Sequence, residues 1–160
     1  MTETLSKHER NLSSIIHAST FSKFFIPFGN FILPLILWTA NKKELEFVDH
    51  NGKLALNFQI SLLLYSTLLC VVSIPFFIHF VPNVFDIGFL SFNKFHNLNN
   101  INISFNRHDF KFGSWWLPLG IIGLLQGALT IVNIVYTILA TIKTNEGETF
   151  KYPISINFIK

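Results

Sequence analysis

Charge is what this chain has least of. Lys, Arg, Asp and Glu make up 13% of its 160 residues, against about a quarter in an ordinary soluble domain. The shortage is blocked rather than spread. No Asp, Glu, Lys or Arg occurs in Leu54–Phe85 or in Ser114–Ile142. Acidic residues are missing from every apolar block, which leaves a proton relay or cation-coupled pump little to work with. Cysteine is nearly absent too. Cys70 stands alone within an apolar run, excluding an intrachain disulfide framework and a thiolate zinc site. The net charge of +3 is slight and dispersed, unlike the concentrated basic patch of a nucleic-acid-binding protein. The polar start, Met1–Ser14, lacks the basic n-region, short apolar h-region and cleavage site of a signal peptide, so the mature protein is expected to keep it.

What is abundant is apolar surface. Half the residues are hydrophobic, 19 of them Phe, and mean hydropathy is +0.45. A hydrocarbon layer of ~30 Å takes about 20 helical residues, so the two uncharged blocks predict transmembrane helices over about 54–82 and 114–143. Pro75 falls inside the first, where a kink is tolerated if neighbours satisfy the freed carbonyl. Trp115 and Trp116 open the second, as in an interfacial aromatic belt. The expected class is an all-α membrane protein, a small helical bundle forming one integral membrane domain over 1–160.

The first apolar stretch, Ile15–Trp38, is interrupted by Lys23, by Pro27-Phe-Gly-Asn30 and by Pro34. Proline removes a backbone donor and glycine loosens the same place. Two short helices are expected, roughly Asn11–Phe25 and Asn30–Asn41, as a broken hairpin over about 11–41 that either stacks into one kinked span or folds back. Loop charge favours folding back. With one crossing, Lys7, Arg10, Lys94, Arg107 and Lys111 oppose Lys42, Lys43, Lys53, Lys143, Lys151 and Lys160. With a hairpin, Lys7 and Arg10 join the second group, and the asymmetry places both termini in the cytoplasm.

The connection 83–113 is rich in asparagine and reads as an extramembrane loop. Ile101, Ile103 and Phe105 alternate with polar neighbours there, the pattern of a short strand. His96, His108 and Asp109 lack a metal-ligand spacing. The tail also alternates, with Phe150, Tyr152, Ile154, Ile156 and Phe158 on one side, predicting an amphipathic strand at the membrane surface or paired with another segment.

Several residues invite a functional reading. Asp49, His50 and Lys53 precede the second apolar block. They form either a polar collar for a partner or lipid head group, or an Asp49 cap on the helix with Lys53 snorkelling to water. Asn57, Gln59 and Ser61 lie in the first turns of that block, and Gln126 and Asn133 share a face of the last. Unpaired amides are costly in hydrocarbon, so these line a polar path or bond between helices. Gly120, Gly123 and Gly127 continue through Thr130, Ile134, Thr137 and Thr141 along one face. The Gly123-x-x-x-Gly127 spacing suits close helix packing, either within the chain or as a homodimer seam.

Three segments carry a family resemblance: Phe25-Ile-Pro-Phe-Gly-Asn30 with Pro34-Leu-Ile-Leu-Trp38; Phe47-Val-Asp-His-Asn-Gly-Lys53 with Ala55-Leu-Asn-Phe-Gln59; and Ile142-Lys-Thr-Asn-Glu-Gly-Glu148 with Tyr152-Pro-Ile. In this order the chain resembles the Tic-twenty-like family of small bacterial membrane proteins of unknown function. That family is named after a small subunit of the chloroplast inner-envelope import translocon. The match covers roughly Asn11–Phe80 and Ser114–Lys160. It departs at Leu54, where many members carry an acidic residue, and at 83–113, which looks inserted. The resemblance implies a multi-pass protein of the bacterial inner membrane and, by analogy, protein translocation or insertion.

No nucleophile–base pair, paired-carboxylate site or phosphate-cradling glycine loop is present. The expectation is a non-enzymatic subunit or assembly factor that needs no cofactor or metal and binds lipid and other membrane proteins or itself. A small homo-oligomeric pore or carrier through Asn57, Gln59, Gln126 and Asn133 is the alternative. An enzyme built on His50 and Asp49 is a third, and weaker, reading.

Overall fold

The computed structural model describes residues 5–84 and 116–160, and all regular structure among them is helical. The elements are α1 (Lys7–Ser19), a 3-10 turn (Thr20–Phe24), α2 (Gly29–Asn41), α3 (Glu46–Val84) and α4 (Trp116–Asn145).

α1 starts four residues before the expected position, because Ser6 and Glu9 form a capping box. Ser6 Oγ accepts from the Glu9 backbone N–H at 3.1 Å, and Glu9 Oε2 accepts from the Ser6 N–H at 2.9 Å. This Ser-x-x-Glu spacing satisfies two backbone donors at the helix start. The helix also stops earlier than expected. Ser19 Oγ and Thr20 Oγ1 donate to the carbonyls of Ile16 and His17 at 2.7 and 2.9 Å, and the backbone tightens into the 3-10 turn. The chain reverses through Pro27 and Phe28, whose φ of 59° is left-handed. Gly29 is required at that corner, since a Cβ would lie 2.8 Å from the Ser22 backbone. α2 ends at Asn41 as the sequence predicts, and it packs back against α1 and the turn. The two short helices therefore fold on each other rather than stacking into one line.

α3 begins at Glu46, eight residues ahead of the uncharged block. Its first i→i−4 bond runs from the Asp49 N–H to the Leu45 carbonyl at 3.0 Å. Asp49 is thus inside the first turns and does not cap the helix, while Glu46 and Asp49 still suit the positive end of the helix dipole. Two helical stretches are long and apolar enough to cross a membrane, Glu46–Ile78 and Leu117–Asn145. The Asn-rich connection, with Ile101–Asn106, His96, His108 and Asp109, lies outside the described residues.

The tail is not a strand. Residues 149–160 run without regular structure, because their backbone finds side chains of α3 in place of a second strand. Ser61 Oγ accepts from the Ile156 N–H at 2.8 Å, and Asn57 Oδ1 from the N–H groups of Phe158 and Ile159 at 3.1 and 2.8 Å. Asn57 Nδ2 donates to the Ile159 carbonyl at 3.0 Å, and Tyr65 Oη to that of Ile154 at 3.0 Å. Asn57, Ser61 and Tyr65 are spaced by four, so one face of α3 holds Ile154, Ile156, Phe158 and Ile159.

The chain divides into two compact units, residues 1–65 with 128–160, and residues 66–127. The first holds both apolar clusters. Ile16, Trp38, Val48, Ala55 and Leu56 form one, and Phe58, Leu62, Ala140 and Tyr152 the other. Phe58 and Tyr152 stack with ring centroids 4.1 Å apart. In the second unit Gln126 Nε2 donates to Ser66 Oγ at 2.7 Å, and large apolar side chains such as Leu68, Val71, Ile121 and Leu124 are exposed.

Candidate functional site

The first unit is threaded by buried polar groups, and His17 is their centre. It has no exposed surface. Asn51 Nδ2 donates to the Phe47 carbonyl at 2.8 Å, which leaves Asn51 Oδ1 as an acceptor. His17 Nε2 lies 3.1 Å from that oxygen and Nδ1 lies 2.9 Å from Tyr152 Oη. Nε2 therefore carries a proton and donates to Asn51; in the neutral ring, which burial favours, Nδ1 accepts from the tyrosine hydroxyl. Thr144 Oγ1 donates to the same Asn51 oxygen at 3.3 Å. His17 and Asn51 together thus join α1, α3, α4 and the tail. Burial pushes the His17 pKa down to about 4, partly offset by the Asn51 contact. It raises that of Tyr152 well above the usual phenol range.

A second chain of amides lies further along α3. Asn30 Nδ2 donates to Gln59 Oε1 at 3.1 Å, Gln59 Nε2 to Asn133 Oδ1 at 3.2 Å, and Thr137 Oγ1 to the same Asn133 oxygen at 3.2 Å. Gln59, Asn133 and Thr137 are buried. These groups satisfy one another across α2, α3 and α4, as side chains in hydrocarbon must. Gln126, on the same face of α4 as Asn133, falls in the other unit and bonds to Ser66.

Asp49, His50 and Lys53 divide by role. Asp49 Oδ1 accepts from Trp38 Nε1 at 2.8 Å, and Oδ2 pairs with Lys53 Nζ at 2.6 Å. Lys42 Nζ lies 4.4 Å from the centre of the Trp38 ring. Gly52 makes room for that indole, since a Cβ there would come within 2.9 Å of Trp38 Cβ. Together they dock α2 on α3. His50 is exposed instead and borders two clefts. One, of about 620 Å³, includes Ser6, Glu9, Glu46 and Phe47, and the other, of about 360 Å³, lies toward the tail. Among the described residues no three His, Cys, Asp or Glu side chains are grouped to hold a metal ion.

The three glycines of α4 are open. A Cβ at Gly120, Gly123 or Gly127 meets nothing within 4 Å among the described residues. His17, Asn51, Thr144 and Tyr152 carry the network but were not singled out from sequence. Their partners lie 34 to 135 residues apart, beyond any local spacing. The one available signal was a histidine in α1 at register with buried Ser13 and Ile16.

The family model for magnetosome magnetite crystal formation proteins, the MamF/MmsF family, matches residues 8–159. The chain belongs to that family. This corrects the Tic-twenty-like resemblance. The motif residues behind the resemblance do structural work that any helical hairpin docked on a span requires: Val48 fills the core, Asn51 holds His17, and Gly52 admits Trp38. No curated protein and no solved structure matches the chain. As a MamF/MmsF member with two helices long enough to span, it is a bacterial membrane protein of the magnetosome, involved in magnetite crystal formation.

Proposed function

We propose that this MamF/MmsF protein serves magnetite crystal formation as a non-enzymatic assembly factor, acting through lateral contacts with other membrane proteins or with itself. The observation that carries this reading is the contrast in how its side chains are used. The amides expected to line a polar path, Asn57, Gln59 and Asn133, bond instead to the tail and to one another. Meanwhile the glycine face of α4 and the apolar side chains beside it are turned outward. Saturated amides favour a fixed internal register over a conduit, and a small-residue face suits close approach of another helix. α1 and α2, at 13 residues each, are ~20 Å long by the helical rise. That length suits a hairpin dipping into the bilayer, with both termini on the cytoplasmic side.

In-cell crosslinking followed by gentle extraction and mass spectrometry tests the reading. A reproducible partner set, or a self-crosslink, that disappears in a Gly123→Leu/Gly127→Leu variant still inserted in the membrane is the expected result. Unchanged crosslinks in that variant, together with solute flux through reconstituted vesicles that stops in Asn133→Leu, would replace it with the pore.

A further inference from the structure

The cleft between the tail and the start of α3 has the chemistry of an anion site at the membrane boundary. It encloses about 360 Å³, and its lining includes His50, Leu54, Thr149, Lys151, Ser155 and Asn157. That lining carries a lysine and no carboxylate. Thr149 and Ser155 supply hydroxyls and Asn157 an amide. Ser155 Oγ is enclosed and has no hydrogen-bond partner, an unusual condition for a buried hydroxyl, because a group denied both water and a partner is destabilising. A phosphate oxygen in the cleft would supply a counter-charge for Lys151, and an acceptor for the Ser155 hydroxyl once its side chain turns toward the cleft.

The depth of the cleft says where such a phosphate comes from. Leu54 is the first residue of the uncharged run of α3, so the site straddles the change from polar to apolar surroundings. Beyond it the tail follows α3 as far as Tyr65, which by the helical rise is roughly 16 Å past Leu54. The tail's backbone is tied to Asn57, Ser61 and Tyr65, leaving Ile154, Ile156 and Phe158 exposed. Side chains of α3 that take up tail backbone groups, with apolar side chains outward, suit contact with hydrocarbon. A polar cationic cleft continued by an apolar row matches a molecule with a phosphate head and acyl chains.

We propose that this cleft binds the phosphate of an anionic phospholipid, with its acyl chains lying along Ile154, Ile156 and Phe158. The full chain, reconstituted in nanodiscs of mixed phosphatidylglycerol and phosphatidylcholine, is released for native mass spectrometry and its retained lipids are counted. Phosphatidylglycerol is expected to be enriched, and the enrichment to fall roughly tenfold in Lys151→Gln/Ser155→Ala, the loss expected for removing a charge-assisted hydrogen bond. Lys160→Gln, outside the cleft, is expected to leave it unchanged. Equal retention of the two lipids, or the same enrichment in the double variant, overturns the site. Retention abolished by millimolar inorganic phosphate, with phosphate itself held by the wild type and not by the double variant, would overturn the lipid as its source. Unaltered helical circular dichroism in the variants separates loss of binding from loss of folding.

Discussion

Up to Leu62, α3 is buried on most of its turns. Ala55, Leu56, Phe58, Ser61 and Leu62 all lie inside, and Asn51, Asn57 and Gln59 are each hydrogen-bonded to another element. Beyond Leu62 the same helix turns Leu63, Leu64, Leu68, Val71, Val72 and Ile74 outward. α4 shows the mirror of this change, with buried Asn133, Thr137, Ala140 and Thr144 in one unit and exposed Leu117, Ile121 and Leu124 in the other. Both halves contain apolar side chains, but the charged residues of α3, Glu46, Asp49 and Lys53, all fall in the first. What separates them is polar side chains at helical spacing. Lipid tails are as apolar as leucine, so association inside a membrane rests on packing and hydrogen bonds, and the half with the buried network of amides is the half whose elements are tied together.

The comparison can be broken most severely at Asn51. Asn51→Leu removes the acceptor of both His17 and Thr144 and leaves two buried donors, a loss of about 3 kcal/mol or more. It is expected as a large fall in thermal stability of the purified protein in detergent. Gln126→Leu in the other unit removes a bond to Ser66 and is expected to lose ~0.6 to 2 kcal/mol. Equal effects from the two substitutions would mean that the units are not differently held.

Acidification probes the same network without mutation. His17 is neutral when folded, with its pKa held near 4 against an ordinary 6.5. The unfolded chain takes up the proton first as pH drops, so stability is complete above about 6.5, declines as pH falls toward about 4, and levels below that. The full span is on the order of 3 kcal/mol. Unfolding midpoints measured across that window should follow this slope in the wild type and lose it in His17→Gln. A slope that persists in His17→Gln would assign it to other groups.

Gly52→Ala sharpens the comparison at a contact that is steric rather than polar. Its Cβ meets the Trp38 indole, and overpacking of this kind destabilises by roughly 1–3 kcal/mol. Tryptophan fluorescence should shift as Trp38 loses its seat. Gly120→Ala meets open space and is expected to change stability by less than about 0.5 kcal/mol. A large loss of monomer stability at Gly120 would show that the α4 face is covered.

Several features were legible in the residues themselves. The two uncharged blocks predicted both long helices, Pro27–Asn30 predicted the break, and Asn41 the end of α2. The start of α1 was legible in principle, because Ser6-x-x-Glu9 is a local signal. The tail was misread for a physical reason. Alternation of apolar and polar residues predicts an extended strand, but a strand needs another backbone beside it; here the tail turns at Pro153–Ile154 and Asn57, Ser61 and Tyr65 take its backbone groups. The family resemblance failed similarly, since glycine, asparagine and valine at a helix crossing answer to packing rather than to a function.

Composition and the order of apolar blocks determined that this chain is a helical membrane protein, because transfer of about 20 uncharged residues into hydrocarbon depends on what they are and on little else. Which polar groups meet was decided only by the tertiary structure. His17 with Asn51 and Tyr152, Gln59 with Asn133, and the cleft beside Ser155 depend on segments up to 135 residues apart. Hydrogen bonds act over about 3 Å, so no spacing along the chain can announce a partner that only folding brings within reach.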